Sequence, residues 1–355
     1  MAINQDKLNS LLGKIVGDFG GAMSSVLVTI GDRLGLYKAM AKAGEKGVTP
    51  ADLARDTNTN ERYVREWLLN QAAGGYCEYR PAEGRFVLTE EQAFALADDS
   101  SPANMVGGFL VSNSMVKDED KLMEAFRSGK GVDWGSHHHD LFHGTDRFFA
   151  ANYRGNLVGN WIPSMDGAES RLKSGAVVAD IGCGHGSSTI LMAQAYPKSR
   201  FIGFDTHGPS VEFANRAAKS AGVSDRCSFA IDSATTVKPQ EGGFDLACCF
   251  DCLHDMGDPV GAARNIRKTL KPDGFWMIVE PFANDKVEEN LNPVGRVYSA
   301  ASTMICVAHS LSQNGPALGA QAGEARLRAV VSEGGFTRFR RATQTPFNLV
   351  LEARP

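Results

Sequence analysis

The sequence predicts an α/β protein: a doubly wound sheet whose final strand is antiparallel, preceded by a helical domain that contains a winged helix. Three observations predict this fold. A loop with glycine at every second position, residues 182–186, lies between a short apolar run and a helical pattern. Further apolar runs follow, several of them ending in an acid, with helical patterns between them, as in parallel sheets. Upstream, two capped helix starts precede two short strands, the order of a winged helix.

Length and composition set the first bounds. The chain has 355 residues, which is too many for a single ordinary hydrophobic core. It contains 37 Lys plus Arg and 41 Asp plus Glu, for a formal net charge of -4. This balance gives no electrostatic reason to bind nucleic acid or an anionic membrane. We expect no apolar stretch near the ~18 residues of a membrane span, and no signal peptide. Seven irregularly spaced cysteines indicate reduced thiols and a cytoplasmic protein.

We expect three regions along the chain. Their boundaries are 1–100 for the helical winged-helix domain, 101–170 for a helical connector or cap, and 171–355 for the α/β domain, which carries a cap insertion at 281–322. Apolar residues at helical spacing predict helix from Leu8 to Ala43. The pair Gly20 and Gly21 predicts a break or a close contact within it.

Two helix starts and a hairpin define the winged helix. Thr49 is a capping residue with proline at the next position, and Asn60 with Glu61 forms a second start. The predicted strands span residues 76–79 and 85–88. A winged helix can read DNA, but its second helix and its wing mix arginine with glutamate, which suits a phosphate backbone poorly.

Residues 90–175 read as connecting helices rich in aromatic residues. The aromatic residues are Trp134, Phe142, Phe148, Phe149, Tyr153 and Trp161. They could wall a pocket over a cationic ligand or form the seam between two domains. His139 and His143 have the i, i+4 spacing of metal ligands on a helix, but apart from the adjacent Asp140 no further ligand is evident, and a solvated loop is the favoured interpretation. We expect no metal.

The glycine loop has the pattern of a nucleotide cradle. Apolar residues 177–179 read as a buried strand that ends in Asp180, and the pattern D-x-G-x-G-x-G follows, with a helix beginning at Ser187. Glycines at these positions let the backbone turn sharply and approach a ligand, while the helix start offers free N–H groups. A dinucleotide enzyme would have G-x-G-x-x-G instead. A glycine-rich turn without any ligand would leave the acids at the neighbouring strand ends unexplained.

Two further acids lie at strand ends. The second predicted strand, 200–204, is followed by Asp205, about 20 residues after the loop, where a carboxylate can bind ribose hydroxyls. The third, 227–231, is followed by Asp232 and Ser233, at the position to meet the amine of an adenine. Later strands are predicted at 244–250, 275–280, 336–340 and 348–352, with helices at 258–270 and 325–333. The last two strands are joined too closely for a crossover helix, which implies an antiparallel edge.

His254 and Asp255 follow the fourth strand, at the sheet edge where ligands of open α/β folds bind. An imidazole there can take a proton from a hydroxyl, although a histidine that caps the next helix or lies in a domain seam is the alternative. Cys249 and Cys252 have C-x-x-C spacing, but the first lies in an apolar strand and no second pair exists, so a metal or redox role is disfavoured.

These motifs resemble those of class I S-adenosylmethionine (SAM) methyltransferases. The phrases that extend the resemblance over almost the full length are GDRLGLY, ERYVREWL, VADIGCGHGSSTILMAQ, FDCLHDMGDPVGAAR, NLNPVGRVYSAAST and GEARLRAVV…GFTRFRRAT…PFNLVLEARP. They are similar to bacterial winged-helix SAM methyltransferases of unassigned substrate. The resemblance implies this fold, SAM as the cofactor and a winged helix that pairs two subunits into a homodimer and helps to roof the active site.

The resemblance also implies site residues. SAM would be held by Asp180, Gly182, Gly184, Gly186, Asp205, Thr206, Asp232, Ser233 and Phe250. The acceptor would meet Trp134, Phe148, Tyr153, Arg296, Tyr298 and His309. Arg296 could clamp an acceptor carboxylate or close a salt bridge. His254 matches the general base of plant- and bacterial-type O-methyltransferases, whereas Asp251, Cys252 and Met256 depart from the plant pattern.

The predicted function is therefore methyl transfer from SAM to a small molecule, at a hydroxyl, with His254 as the base and Asp255 beside it. Two alternatives stay open. The chain could be a SAM-binding winged-helix regulator of transcription, or it could methylate nitrogen or sulfur by positioning alone.

Overall fold

The computed structural model describes residues 3–355, which form two compact units. The first unit runs to Ser114 and takes in His143–Asn152, and the second comprises Met115–Phe142 and Tyr153–Pro355. The three-part division predicted from the sequence is a different partition and stays a prediction.

The bounds of the elements are as follows. The helices are α1 (Gln5–Arg33), α2 (Leu36–Ala43), α3 (Pro50–Asp56), α4 (Glu61–Ala73), α5 (Glu90–Leu96), α6 (Val106–Val116), α7 (Glu119–Ser128), α8 (Asp140–Asn156), α9 (Ala168–Ser174), α10 (Ser187–Ala195), α11 (Gly208–Ser220), α12 (Pro259–Thr269), α13 (Pro293–Ala301), α14 (Val307–Ser312) and α15 (Gly323–Glu333). The strands are β1 (Glu78–Arg80), β2 (Arg85–Val87), β3 (Val177–Ile181), β4 (Arg200–Asp205), β5 (Cys227–Ile231), β6 (Phe244–Phe250), β7 (Leu270–Pro281), β8 (Arg338–Gln344) and β9 (Asn348–Arg354).

Helix α1 is continuous, so the predicted break at Gly20 and Gly21 is wrong. No atom lies within 4 Å of the place where a Cβ would stand on either glycine, so no element packs closely there. A glycine inside a helix costs only about 1 kcal/mol relative to alanine, and a long helix can tolerate this cost without a break. The helix ends instead at Arg33, with Leu34 as its C-terminal cap, before Gly35 takes a left-handed conformation with φ of 72°.

The winged helix forms as predicted. Thr49 caps α3 in a full capping box, and the side chain of Asn60 accepts from the Arg62 N–H to start α4. Strands β1 and β2 pair antiparallel, with Tyr79 opposite Phe86. Trp67 of α4 packs under α1, where its Nε1 donates to the Leu27 carbonyl at 2.8 Å. These contacts give the first unit its own apolar core.

One helix of the described chain, α1, is long and apolar enough to span a membrane, judged by length and composition alone. Its most apolar 18-residue window has a mean hydropathy of 1.4, and 17% of that window is buried. The expectation that no apolar stretch reaches this length is therefore wrong.

The second unit is built on a seven-stranded sheet in the order β5-β4-β3-β6-β7-β9-β8. The five strands from β5 to β7 in this order are parallel, and β9 is antiparallel to both of its neighbours. The final strand is antiparallel as predicted, but it lies inside the sheet and β8 forms the edge. Every residue of β6 is buried, because helices cover both faces of the sheet.

Every predicted strand forms, but the bounds agree to different degrees, and β8 spans Arg338–Gln344 rather than the predicted 336–340. Strands β5 and β6 have the predicted ends, while β7 begins at Leu270 and includes four residues predicted as a turn. A register shift between Phe244 and Leu246 accommodates this extension. The carboxyl ends of β3, β4, β5, β6 and β7 consequently lie along one edge of the sheet, where the candidate site is found.

Candidate active site

The glycine loop follows β3 and is held against β4. The N–H groups of Gly182 and Cys183 both donate to the Phe204 carbonyl, at 2.8 and 3.1 Å. All three loop glycines have positive φ, which side chains rarely adopt. A Cβ on Gly186 would meet the Phe229 ring at 2.5 Å, whereas one on Gly184 would meet nothing within 4 Å. The middle of the loop is thus open, and its flanks are tightly packed.

Asp180, the last acid of β3, is buried and anchors the helix that follows the loop. Its Oδ2 accepts from the hydroxyls of Ser188 and Thr189, at 2.7 and 2.6 Å. Its Oδ1 has no hydrogen-bond partner within residues 3–355. Burial raises the pKa of Asp180 to about 6, although the two hydroxyls lower it. A donor that reaches Oδ1 would therefore be bound strongly.

Asp205 and Asp232 lie at the ends of neighbouring strands. Asp205, half-buried, accepts from the Gly184 N–H at 2.8 Å through one oxygen and from the His207 N–H at 2.8 Å through the other. Asp232 accepts from the Ser233 N–H at 2.8 Å and from the Thr236 hydroxyl at 2.5 Å. Thr206 is exposed beside Asp205. Nearby groups thus orient both carboxylates: backbone N–H groups at Asp205, and a backbone N–H together with a hydroxyl at Asp232.

Phe250, predicted to contact the cofactor, belongs to an aromatic cluster at the end of β6. Its ring centroid lies 5.3 Å from that of Tyr153 and 6.4 Å from that of Trp161. All three side chains are buried. Tyr153 and Phe250, predicted separately for the acceptor and the cofactor, are therefore in direct contact.

His254 lies in a short turn after β6 and is held by Glu280, which sequence reasoning missed. Its Nδ1 is hydrogen bonded to Glu280 Oε2, while Glu280 Oε1 accepts from the Leu253 N–H at 2.9 Å. Both side chains are buried. Because a carboxylate can only accept, the proton lies on Nδ1 and the lone pair of the neutral ring lies on Nε2. Glu280 is the penultimate residue of β7, so a search for acids near every strand end would have found it.

Burial alone would lower the pKa of the His254 imidazole. The Glu280 carboxylate and the Cys306 thiol act in the opposite direction, and the net pKa lies well above its ordinary value. Asp255, next in the chain, is affected differently. Burial raises its pKa to about 7, His254 lowers it, and Glu280 and Asp205 raise it further. Within this turn the pKa of the His254 imidazole and the pKa of the Asp255 carboxyl are therefore both raised.

Two acceptor candidates, Trp134 and His309, are brought together. The backbone N–H of Trp134 donates to His309 Nδ1 at 3.0 Å. Burial lowers the pKa of His309. Trp134 also packs on Phe142, whose ring lies 4.3 Å from that of His207, next to Asp205. This aromatic stack connects the 134–142 segment to the end of β4.

The remaining acceptor candidates are Tyr298, Arg296 and Phe148. The Tyr298 hydroxyl donates to the Phe347 carbonyl at 2.7 Å, and Arg296 is exposed on the same helix, α13. Phe148 lies in the first unit, where its backbone packs against Gly107 and its ring against Phe149. Their roles toward an acceptor stay predictions.

The histidine-rich segment contains one possible ligand cluster. Nitrogen and oxygen atoms of His138, His139 and Asp140 lie within 4.8 Å of one another. Lys117 already pairs with Asp140 at 2.5 Å, and the cluster uses sequence neighbours rather than the predicted pair of His139 with His143. The expectation of no metal stays a prediction.

The geometry defines the class of the second unit: an open α/β sheet with a glycine cradle, acids at successive strand ends and an antiparallel strand. Residues 172–330 match a family model described as "Methyltransferase domain", and residues 22–98 match one described as "Rv2258c-like winged HTH domain". The chain therefore carries a winged helix-turn-helix domain that is followed in the sequence by a methyltransferase domain.

Curated relatives match over part of their length. The 27-O-demethylrifamycin SV methyltransferase of Amycolatopsis mediterranei is 30% identical over 35% of this chain and 48% of its own length. The 2-methyl-6-phytyl-1,4-hydroquinone methyltransferase of Synechocystis is 25% identical over 49% of this chain and 51% of its own. The chain thus spans about half the length of these two relatives.

Solved structures match over the whole chain. Human N-acetylserotonin methyltransferase in complex with SAM has a TM-score of 0.71 at 18% identity, covering 100% of this chain and 99% of that one. An O-methyltransferase family protein from Burkholderia thailandensis has a TM-score of 0.66 at 16% identity, covering 100% and 99%. At these identities the likeness establishes the fold.

Proposed function

We propose that this protein is an SAM-dependent methyltransferase that methylates a hydroxyl group of a small molecule. One observation carries the proposal. A buried histidine, held by the carboxylate of Glu280, lies at the same sheet edge as an open glycine cradle flanked by Asp180 and Asp205. The names of the similar proteins, among them N-acetylserotonin methyltransferase and 27-O-demethylrifamycin SV methyltransferase, support a small-molecule acceptor.

The residues at the cradle fit SAM. The open position at Gly184 leaves room for a ligand against the backbone, and Asp180 Oδ1 awaits a hydrogen-bond donor such as an ammonium group. Asp205 and Asp232 are oriented to accept further hydrogen bonds from ribose and adenine, with Thr206, Ser233 and Phe250 beside them. When bound, SAM supplies an activated methyl group. The buried Asp180 carboxyl, whose Oδ1 has no partner within residues 3–355, suits the positively charged ammonium group of SAM.

His254 would act as the general base. Its Nε2 takes the proton of the acceptor hydroxyl as the oxygen becomes the nucleophile, and the Glu280 carboxylate stabilises the imidazolium that forms. Asp255, next to His254 in the same turn, is the second proposed catalytic residue. Trp134, Tyr153, Tyr298 and His309, with Phe148 and Arg296, are the proposed acceptor contacts.

An enzyme is favoured over a DNA-binding regulator by the charges of α4. Arg62 pairs with Glu66 and Arg65 with Glu61, each one turn apart on the exposed face, so the arginines of this helix are neutralised. A duplex-binding helix needs free cations for phosphate. Specific duplex binding that weakens steeply with salt would contradict this reading.

A homodimer and a cytoplasmic location belong to the same proposal. The exposed apolar face of α1 supports a dimer, because water solvates such a face poorly. All seven cysteines are free thiols, as expected in a reducing compartment.

Calorimetry tests the cofactor. We expect SAM to bind, and Asp205→Ala to weaken binding by about 1.5–3 kcal/mol, as for a charged hydrogen-bond partner. Glu212→Ala is the matched control, since this acid is exposed on the next helix. Tight NADH binding without SAM binding would contradict the proposal.

Isotope transfer tests the chemistry. The protein is incubated with methyl-labelled SAM and a metabolite extract, and products heavier by one CH₂ are sought by mass spectrometry. We expect His254→Ala to lower turnover by about 10²–10⁴-fold with SAM affinity nearly unchanged. Undiminished turnover would mean that positioning alone suffices, as for a nitrogen or sulfur acceptor.

A further inference from the structure

Asp251 has features that neither the fold nor the proposed base explains. It follows the last residue of β6, and its N–H donates to the Val279 carbonyl at 2.7 Å. Its Oδ1 accepts from the Asn348 side-chain amide at 3.0 Å, but its Oδ2 is buried and has no hydrogen-bond partner within residues 3–355. Its φ is 53°, in the left-handed region. An unpaired buried oxygen and a strained backbone each cost free energy.

The polar neighbours of Asp251 cannot satisfy Oδ2. Both oxygens of Glu280 are engaged, one by His254 and one by the Leu253 N–H. The Tyr298 hydroxyl donates to the Phe347 carbonyl. The charged groups that act most strongly on Asp251 are Glu280, His254 and Asp255, with no lysine or arginine among them. The Oδ2 atom is therefore buried beside other acids and has no donor among residues 3–355.

A structural role does not require a carboxyl at this position. Asparagine tolerates the left-handed conformation as well as aspartate does, and its oxygen would accept equally from Asn348. It would also avoid a second acid beside Glu280. What only the carboxyl provides is an oxygen that binds a charged or strongly polarised donor.

We propose that Asp251 is a specificity-determining residue whose Oδ2 accepts a hydrogen bond from the acceptor molecule. This rests on the proposed function. The donor is an ammonium or a second hydroxyl close to the group that is methylated. Amino alcohols, aminophenols and vicinal diols have this arrangement. Acceptors with a carboxylate or phosphate in that place are rejected, because Asp251 and Glu280 would repel the anion.

The charge state of the carboxyl agrees with this assignment. Burial and the adjacent Glu280 raise the pKa of Asp251, so the charged form of this carboxyl lacks compensation from the protein. An ammonium next to Oδ2 would lower that pKa and form an ion pair with the carboxylate.

The experiment separates a metabolite extract by ion exchange into cationic, neutral and anionic fractions. Each fraction is incubated with methyl-labelled SAM and the wild-type protein, Asp251→Asn or the control Asn348→Ser. The control removes the hydrogen bond to Asp251 but keeps the carboxyl. SAM affinity is measured in parallel by calorimetry, and thermal unfolding verifies that each variant is folded.

We expect labelled product from the cationic or neutral fraction. Asp251→Asn should raise the acceptor KM by about 10- to 100-fold, the loss of a hydrogen bond to a charged group, with SAM affinity unchanged. Asn348→Ser should keep the preference for that fraction. Product from the anionic fraction alone, or equal KM values for wild type and Asp251→Asn, would overturn the assignment while leaving the proposed function intact. No product from any fraction, with SAM bound, would overturn the proposed function and this assignment with it.

Discussion

At the scale of single residues, the pairing of His254 with Glu280 sets the expected pH dependence. A general base works only when it is unprotonated, and the carboxylate holds the pKa of this imidazole above its ordinary value. We therefore expect kcat/KM to be low in acid and to rise with pH through that raised pKa. The profile is measured with labelled SAM at saturating cofactor. A rate that is flat from pH 6 to 9 would contradict the assignment of His254 as base.

Glu280→Gln identifies the titrating group. Without the carboxylate, burial lowers the pKa of His254, so the rise in rate should move to lower pH. The maximal rate should fall, because the imidazolium loses its partner. Cys306, Asp251 and Asp255 also face this turn, and a rise that stays in place would assign the titration to one of them. Glu352→Gln, a buried acid elsewhere in the sheet, is the control.

Candidate site residues could be located from the sequence where the end of a single strand determines their position. Asp180, Asp205 and Asp232 could be placed because each follows an apolar run directly. Glu280 could not be connected to His254, since 26 residues separate them and only strand order makes their strand ends adjacent. The open oxygen of Asp251 was hidden for a similar reason, because its amide partner Asn348 comes from β9.

At the scale of elements, two substitutions in the glycine loop should affect protein stability and SAM binding to different extents. Gly184→Ala places a methyl group in open space, so it should cost about 1–2 kcal/mol of left-handed strain and obstruct the ligand. Gly186→Ala has the same strain and a clash with the Phe229 ring at 2.5 Å. We expect Gly186→Ala to lower the Tm more, and Gly184→Ala to weaken SAM binding with less loss of Tm. The reverse order would mean that the ligand does not approach Gly184.

The positions of helices and strands along the chain could be predicted more completely than the order of the strands in the sheet. Caps, glycines and apolar runs act locally, which is why the winged helix and β3 to β6 lie where the sequence predicts them. The insertion of β9 between β7 and β8 depends on long-range pairing, and no local signal specifies it. The prediction of a break in α1 failed for the opposite reason. There the local signal, a pair of glycines, was outweighed by the rest of a 29-residue helix.

At the scale of the whole molecule, α1 presents an apolar seam to solvent. The seam consists of Leu12, Val16, Phe19, Met23, Val26 and Ile30. Their spacing alternates between four and three residues, which is the repeat of helices that pack side by side. Val16 is 67% exposed, Phe19 62% and Met23 72%. The opposite side of the helix is already used, since Val28 and Gly31 are buried in the first unit.

A second copy of the chain is the partner we propose for this seam, because a two-fold axis lets the same stripe cover itself. We expect light scattering at micromolar protein to give the mass of a dimer, and Val16→Glu to give a monomer, since the pair would bury a charge in an apolar interface. Lys7→Glu, on the polar side of the same helix, should stay dimeric. A monomeric wild type would contradict the proposal, and binding of that monomer to phosphatidylcholine vesicles would mean that α1 inserts into lipid instead.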